Sequence, residues 1–295
     1  MKQKILVTGS EGFIGKKLIE KLEYRDYIVK TFDIKNGQDV CDFNLLHKTI
    51  QGVDGVIHLA AVSRVVFGYE NPYKTVTTNL IGTANILESI RQNNTSCWMI
   101  FGSSREVYGE GGESVTEENP LNPINVYGAT KVGCEYLTLN YGTNYGINTY
   151  VVRFTNVYGG INDHPDRLIP RFVNQALTNS DFTINGGSQK FDFIHLEDAT
   201  DGLIALVEKI VNKSILKEKT FNFVTGYGTT IKELVEKLIK ITNSKSKTKY
   251  LPERAYDVNT FVGNPSRALK ILNWKAKKSI DEGLSEYIEL ISSRN

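Results

Sequence analysis

Tyr127 and Lys131 stand four residues apart in the run Tyr127-Gly-Ala-Thr-Lys131. On a helix that spacing puts both side chains on one face, about 6 Å apart along the axis. A phenol beside an ammonium gives up its proton more readily than a free phenol, so the pair is a candidate proton-transfer centre. Of the 15 tyrosines, Tyr127 is the one with lysine at i+4. A solvated helix face would show the same spacing, so the surrounding elements decide what the pair means.

The first of those elements is Lys4-Ile-Leu-Val-Thr8, a short β-branched run that reads as a strand buried in a parallel sheet. It runs into Gly9-Ser-Glu-Gly12-Phe13-Ile14-Gly15, followed by an amphipathic helix carrying Leu18, Ile19 and Leu22. Glycines at these positions allow a tight turn, close approach of a pyrophosphate and helix–strand packing. The helix N-terminus adds free N–H groups and a positive dipole end. The next strand, Tyr27 to Asp33, ends in an acid. Such an Asp accepts hydrogen bonds from the two ribose hydroxyls of an adenosine and repels a 2′-phosphate, which favours NAD over NADP.

Further buried strands follow at Asp54 to Ala61, Cys97 to Gly102 and Asn148 to Phe154, with helices opening near Asn79 and at Tyr127. Small residues closing the first of these let a cofactor lie against the strand end. His58, inside that apolar strand, reads as a core histidine. Strands alternating with helices predict an α/β fold with a doubly wound parallel sheet. After residue 157 the rhythm weakens. Helices are expected at Arg167–Leu177, Glu197–Val211, Ile231–Ile241 and Ile280–Ile291, with short strands at Phe182, Phe191 and Thr220–Val224. The last third reads as a smaller lobe closing over the carboxyl edge of the sheet.

The bulk numbers agree. A chain of 295 residues, 40% apolar and 23% charged, buries a large core. A net charge of +2 with mixed signs gives no basic block for nucleic acid. The start enters a strand at once, without a signal-peptide pattern, and no 18-residue apolar run suggests a membrane span. Cys41, Cys97 and Cys134 are far apart and offer no metal site, and a reducing cytoplasm is the expected location.

In order and spacing, TGSEGFIG (8–15), Asp33, DV (39–40), HLAA (58–61), NLIGT (79–83), SSREVYG (103–109), ENPLNP (118–123), YGATK (127–131), RFTNVYG (153–159), DFIHLED (192–198) and the late Arg254 with Asp257-Val258 resemble the extended short-chain dehydrogenase/reductase family, in its nucleotide-sugar epimerase/dehydratase branch. The resemblance implies a Rossmann domain, placed at residues 1–157 plus 189–225. A substrate-binding lobe would take residues 158–188 plus 226–295. It implies NAD held by Gly9, Gly12, Phe13, Ile14 and Gly15, with Asp33 on the adenosine ribose and Asp39 and Val40 at the adenine. Leu59, Ala60, Ala61, Asn79 and Ser103 would line the cofactor channel, with Tyr127 and Lys131 reaching the same cofactor. Ser104, Tyr127 and Lys131 would be the catalytic set, with Glu106 beside them. Ser104, Arg105, Tyr127, Asn156, His195 and Arg254 would seat a nucleotide diphosphate sugar. No metal is implied. A homodimer through helices near 79–92 and 127–144 is expected.

The reaction so implied begins by oxidising a sugar hydroxyl, usually at C4, with Tyr127 as base. A phenol has a pKa near 10, so acting near pH 7 requires lowering it by roughly three units, or about 4 kcal/mol. Lys131 and a positive nicotinamide ring are the expected sources, and Ser104 would fix the hydroxyl. A 4-epimerase is the leading reading. A 4,6-dehydratase of this branch carries Asp then Glu after the catalytic hydroxyl, where this chain has Arg105 and Glu106. Glu106 keeps a uronate decarboxylase open, and a 4-keto-sugar reductase is a further alternative. A non-enzymatic NAD-binding regulator would be expected to lack Tyr127 or Lys131. Arg105 either pairs with Glu106, as a surface pair would, or reaches a sugar carboxylate. Relatives usually carry Arg just before Asp-Phe-Ile-His. Here that residue is Phe191, and strand alternation turns the neighbouring Lys190 to the opposite face.

Overall fold

The computed structural model describes residues 2–213, 216–253 and 258–293. The chain opens with β1 (Lys4–Thr8), α1 (Phe13–Tyr24) and β2 (Ile28–Phe32). It continues through α2 (Phe43–Ile50), β3 (Gly55–His58), α3 (Val65–Glu70) and α4 (Pro72–Val76). A π-helical turn, Thr77–Ile81, joins α4 to α5 (Gly82–Asn93), and β4 (Trp98–Ser104) follows. The helix expected to open at Asn79 therefore begins earlier, at Pro72. Proline suits a first helical turn because its missing N–H has no intrahelical partner there.

After β5 (Gly112–Val115) comes the long α6 (Val126–Tyr145). Asn125 caps it by accepting from the Gly128 N–H at 2.8 Å, and Gly146 ends it at φ +71°. Then come β6 (Thr149–Phe154), β7 (Asn156–Tyr158), α7 (Leu168–Leu177), β8 (Phe182–Asn185), β9 (Lys190–His195) and α8 (Leu196–Val211). The last part holds β10 (Thr220–Phe223), β11 (Gly228–Thr230), α9 (Ile231–Thr242), β12 (Thr248–Leu251), β13 (Thr260–Gly263), α10 (Ser266–Leu272) and α11 (Ile280–Ser292).

Six strands form a parallel sheet in the order β10-β6-β4-β3-β1-β2. The chain reverses direction across the sheet between β1 and β3, and ligands of such folds sit beyond the strand carboxyl ends at that switch point. Alternation along β1 explains the two layers. Ile5 and Val7 join a core with Leu18 of α1 and Leu203 of α8, while Leu6 joins another with Leu46, Ile86 and Cys134 from α2, α5 and α6. Burying one such side chain contributes about 1.5–3 kcal/mol. The arrangement is the Rossmann-type α/β fold expected from the sequence.

A second sheet, β11-β9-β13-β5 with β7 on β9, builds the smaller part with a separate pair, β12-β8. Its core gathers Phe172, Phe182, Leu234, Phe261 and Leu284, and takes in Val107, Tyr108 and Val115 from the segment after β4. Ala268, Leu272 and Trp274 from the C-terminal region pack instead into the core of the main sheet. The segment Arg105–Val115 thus leads from the sheet's carboxyl edge into the second core.

Candidate active site

At the end of β1 the backbone turns through Gly9, at φ +72°, where a Cβ would lie 2.7 Å from the Ala60 nitrogen. A Cβ on Gly15 would lie 2.2 Å from the Gly9 carbonyl oxygen. The turn therefore closes only with glycine. The N-cap of α1 is Gly12, with no side-chain cap and no acidic residue in the first turn, so its N–H groups and positive end stay free for an anion. Asp33 accepts from the Glu11 N–H at 2.8 Å and the Lys35 N–H at 2.9 Å, and each oxygen keeps acceptor capacity for a hydroxyl. These features fit a dinucleotide.

They line a cleft of about 630 Å³. Phe13, Ile14, Asp39, Val40, Leu59, Ala60, Ala61, Ser103, Ser104, Tyr127 and Lys131 lie on its wall, so most residues expected from the sequence converge there. Asn79 does not line it. Asn79 is buried, accepts from the Val62 N–H at 2.8 Å and donates to Thr130 Oγ1 at 2.9 Å. It ties the loop after β3 to α6, and so positions the cleft wall. His58 is a satisfied core histidine, bonded to Thr8 Oγ1 at 2.7 Å and Thr83 Oγ1 at 3.1 Å. Burial holds it down to about 3.

Ser104 ends β4, and Tyr127 sits in the first turn of α6 with Lys131 one turn on. Ser104 stands near enough to the Tyr127 phenol to favour its ionised form, but burial outweighs this and pushes the phenol up to about 12. Burial pulls Lys131 the other way, down to about 8. Its ammonium donates to the Gly102 carbonyl at 2.7 Å and lies 5.8 Å from the centre of the Tyr127 ring. Both groups are dry, which disfavours the charged form of each, and the expected lowering of the phenol by Lys131 together with a nicotinamide ring belongs to the NAD-loaded site.

Arg105 and Glu106 are buried, 9% and 7% exposed, so they are not a surface pair. Arg105 Nη2 lies 2.8 Å from Glu106 Oε1, and Asn125 Nδ2 donates to Glu106 Oε2 at 2.8 Å. Both carboxylate oxygens are thereby engaged. The guanidinium carbon is 4.7 Å from the centre of the Phe191 ring and 5.8 Å from that of Phe261. Lys190 points the other way to Glu113, 2.8 Å off, as alternation along β9 requires.

A second cavity, of about 180 Å³, opens from the cleft into the smaller part of the protein and shares Arg105, Glu106, Asn156, Arg167 and Arg171 with it. Asn156 also donates to the Asp192 carbonyl at 3.2 Å. His195 lines neither space. It caps α8 through the Glu197 N–H at 3.3 Å and packs edge-on against Tyr158. Arg254 lies outside the described residues.

Several residues near the site escaped the sequence reading. Glu135 and Arg153 form a buried bidentate pair, with an Nη2–Oε2 distance of 2.6 Å, and Ser103 donates to the same carboxylate. The signal was present: an Arg inside the apolar strand Thr149–Phe154, and a Glu eight residues after Tyr127 on the same helix face. Arg167 with Asp163, and Arg64 with Asp166, join residues around the cleft mouth. Asp163 and Arg167 stand four residues apart, whereas nothing in the spacing marks Arg64 and Asp166, which lie 102 residues apart.

Comparisons with known proteins agree with this geometry. The family model for the NAD dependent epimerase/dehydratase family matches residues 5–222. A UDP-glucuronate 4-epimerase of Thermodesulfobacterium geofontis is 31% identical, covering 98% of both chains. The solved UDP-glucose 4-epimerase of Thermotoga maritima with UDP-glucose superposes with a TM-score of 0.91 at 26% identity, covering 99% of both chains. The UDP-glucuronic acid 4-epimerase of Bacillus cereus, in complex with UDP-glucuronic acid and NAD, gives 0.90 at 26% identity over 99% of this chain and 100% of that one. The chain belongs to the NAD-dependent epimerase/dehydratase family, and its cofactor is NAD.

Proposed function

We propose that this protein is a nucleotide-sugar 4-epimerase acting on a UDP-sugar. The observation that carries the reading is the closed state of Glu106. Eliminating water from a 4-keto sugar needs a mobile acid and base beside Ser104 and Tyr127. Here the one carboxylate at that place is held by Arg105 and Asn125, both at 2.8 Å. The guanidinium holds its proton too tightly to serve as the acid. Oxidation and return of a hydride at one carbon needs neither group. The relatives and solved structures named for UDP-glucose and UDP-glucuronate 4-epimerisation support the same choice.

Ser104 orients the substrate hydroxyl, and Tyr127 takes its proton at the phenol oxygen. When bound, NAD supplies the hydride acceptor, which becomes the donor on return, and a positive charge that offsets the burial of the phenol. Tyr127 then gives the proton back to the new hydroxyl. Lys131 holds the β4 backbone at Gly102 and so fixes Ser103 and Ser104 beside it.

The reading includes two further parts. Residues 1–157 plus 189–225 hold NAD, and 158–188 plus 226–295 hold the nucleotide sugar. The protein is a homodimer through the helices near 79–92 and 127–144, where Ile81 and Tyr136 are exposed. Light scattering on the purified protein tests the dimer. The reaction is tested with UDP-glucose, UDP-galactose and UDP-glucuronate, without added NADH, with products read by NMR and mass. Isomers of unchanged mass are expected. Loss of water, loss of carbon dioxide or a need for NADH would replace the assignment.

A further inference from the structure

We propose that Arg105 is a substrate-binding residue whose Nη1 receives an oxyanion of the nucleotide sugar, either a sugar carboxylate or a diphosphate oxygen. The inference rests on the nucleotide-sugar reading above.

Nη1 is buried and has no hydrogen-bond partner. Among the described residues it is the one such atom on a formally charged side chain. A buried cationic donor without an acceptor is costly, and nearby groups would normally move to meet it. Here they are prevented from doing so. Glu106 already takes Nη2 with one oxygen, and Asn125 holds the other. Phe191 and Phe261 cover the guanidinium with their rings and offer it no acceptor atom. Lys190 is committed to Glu113 on the outer face, so it neither competes for an anion nor replaces Arg105.

The placement matches the chemistry. Arg105 follows directly on Ser104, which lines the same cleft as Tyr127, and it lies on the wall shared by the two cavities. A ligand spanning both spaces passes this guanidinium. Nη2 is fixed by Glu106 and the ring faces restrict the plane, so Nη1 is pre-oriented for an incoming oxygen. Arginine does this where lysine does not, because one arm is anchored while the other remains a donor.

The experiment is calorimetric titration of the NAD-loaded protein and its Arg105→Lys and Arg105→Met variants with UDP-glucuronate, UDP-glucose and UDP. Melting temperature and bound NAD serve as folding controls. Loss of one charged hydrogen bond predicts affinity weakened roughly 10- to 100-fold. A loss confined to UDP-glucuronate identifies a carboxylate, and an equal loss for all three identifies the diphosphate. Either supports the proposal. Folded, NAD-loaded Arg105→Lys that binds all three ligands as tightly as wild type overturns it, leaving Arg105 as a structural partner of Glu106. Wild-type protein that binds none of them overturns both this inference and the reading it rests on. Wild-type protein that binds a sugar without isomerising it overturns the reaction class alone, and the effect of Arg105 on affinity still supports the inference.

Discussion

Lys131 donates to the carbonyl oxygen of Gly102 at 2.7 Å, while its Nζ stands 5.8 Å from the centre of the Tyr127 ring. One turn of helix separates the two side chains, and the same burial moves them in opposite directions. The phenol rises to about 12 and the ammonium falls to about 8. A dry site disfavours the charged form of each. The pocket by itself therefore favours the protonated phenol, and positive charge brought into the cleft would shift it toward the ionised form that the proposed base role requires.

Replacing Tyr127 by Phe removes the proton carrier without touching the glycine turn or Asp33. Turnover should fall by roughly 10²- to 10⁴-fold, the usual contribution of a positioned acid–base group. Bound NAD, measured after denaturing the purified protein, should stay at the wild-type level. Near-normal turnover in Tyr127→Phe would refute the proton route.

Lys131→Met separates function from stability. The folded pKa of Lys131 is depressed to about 8 from 10.5. Between those values the unfolded chain binds more protons than the native one. The lysine's contribution to stability therefore rises with pH across that window and is unfavourable below it. At pH 7 the variant should unfold at a temperature equal to or above that of the wild type, with activity largely lost. The advantage should shrink as pH rises from 8 to 10.5. A variant that melts well below wild type at pH 7 would show that the bond to Gly102 outweighs the cost of burial.

Much of this was legible from residue type and spacing. The glycine turn, Asp33 and the Tyr127–Lys131 pair are local patterns, so the sequence places them with their strands and helices. Arg105 was ambiguous for a physical reason. Its partners, Glu106, Asn125, Phe191 and Phe261, come from elements up to 156 residues away, and burial decides between a surface pair and a lining residue. His195 looked like a ligand in its motif, but the fold turns it to cap α8. The second sheet was read only in part, because its three- and four-residue strands carry too little alternation to stand out.

His58 makes an acid-side prediction. Its folded pKa is held at about 3 against an ordinary 6.5. The neutral ring accepts from one threonine and donates to another, and protonation would break that pattern. The stability it contributes is complete above 6.5 and is lost as pH falls from 6.5 toward 3. Asp192 works against this, because burial raises it to about 6 and its contribution declines as pH rises through that value. Denaturant unfolding from pH 7 to 4 should show a net loss on the acid side. His58→Gln should flatten that slope, and a slope unchanged in the variant would assign it to other groups.

Glu135 and Arg153 give the sharpest test of how the site wall is held. Their side chains are 2% and 6% exposed, and Arg153 donates to both carboxylate oxygens of Glu135. Ser103, on the cofactor cleft, donates to Glu135, while Tyr108 is bonded to Arg153 at 2.7 Å and to Asn222 at 2.7 Å. The pair thus links α6, the strand that ends at Ser104, and the segment leading to the second core. Removing one partner leaves an uncompensated buried charge. Arg153→Met should therefore cost about 3–5 kcal/mol in urea unfolding. Removing both charges relieves that penalty, so Glu135→Leu with Arg153→Met should recover most of the loss. Ser103 then loses its acceptor, and the recovered protein should still bind NAD more weakly than wild type. Stability and NAD affinity restored together would mean that the ion pair only fills space. Stability restored with affinity still reduced would mean that Glu135 also positions Ser103 on the cleft wall.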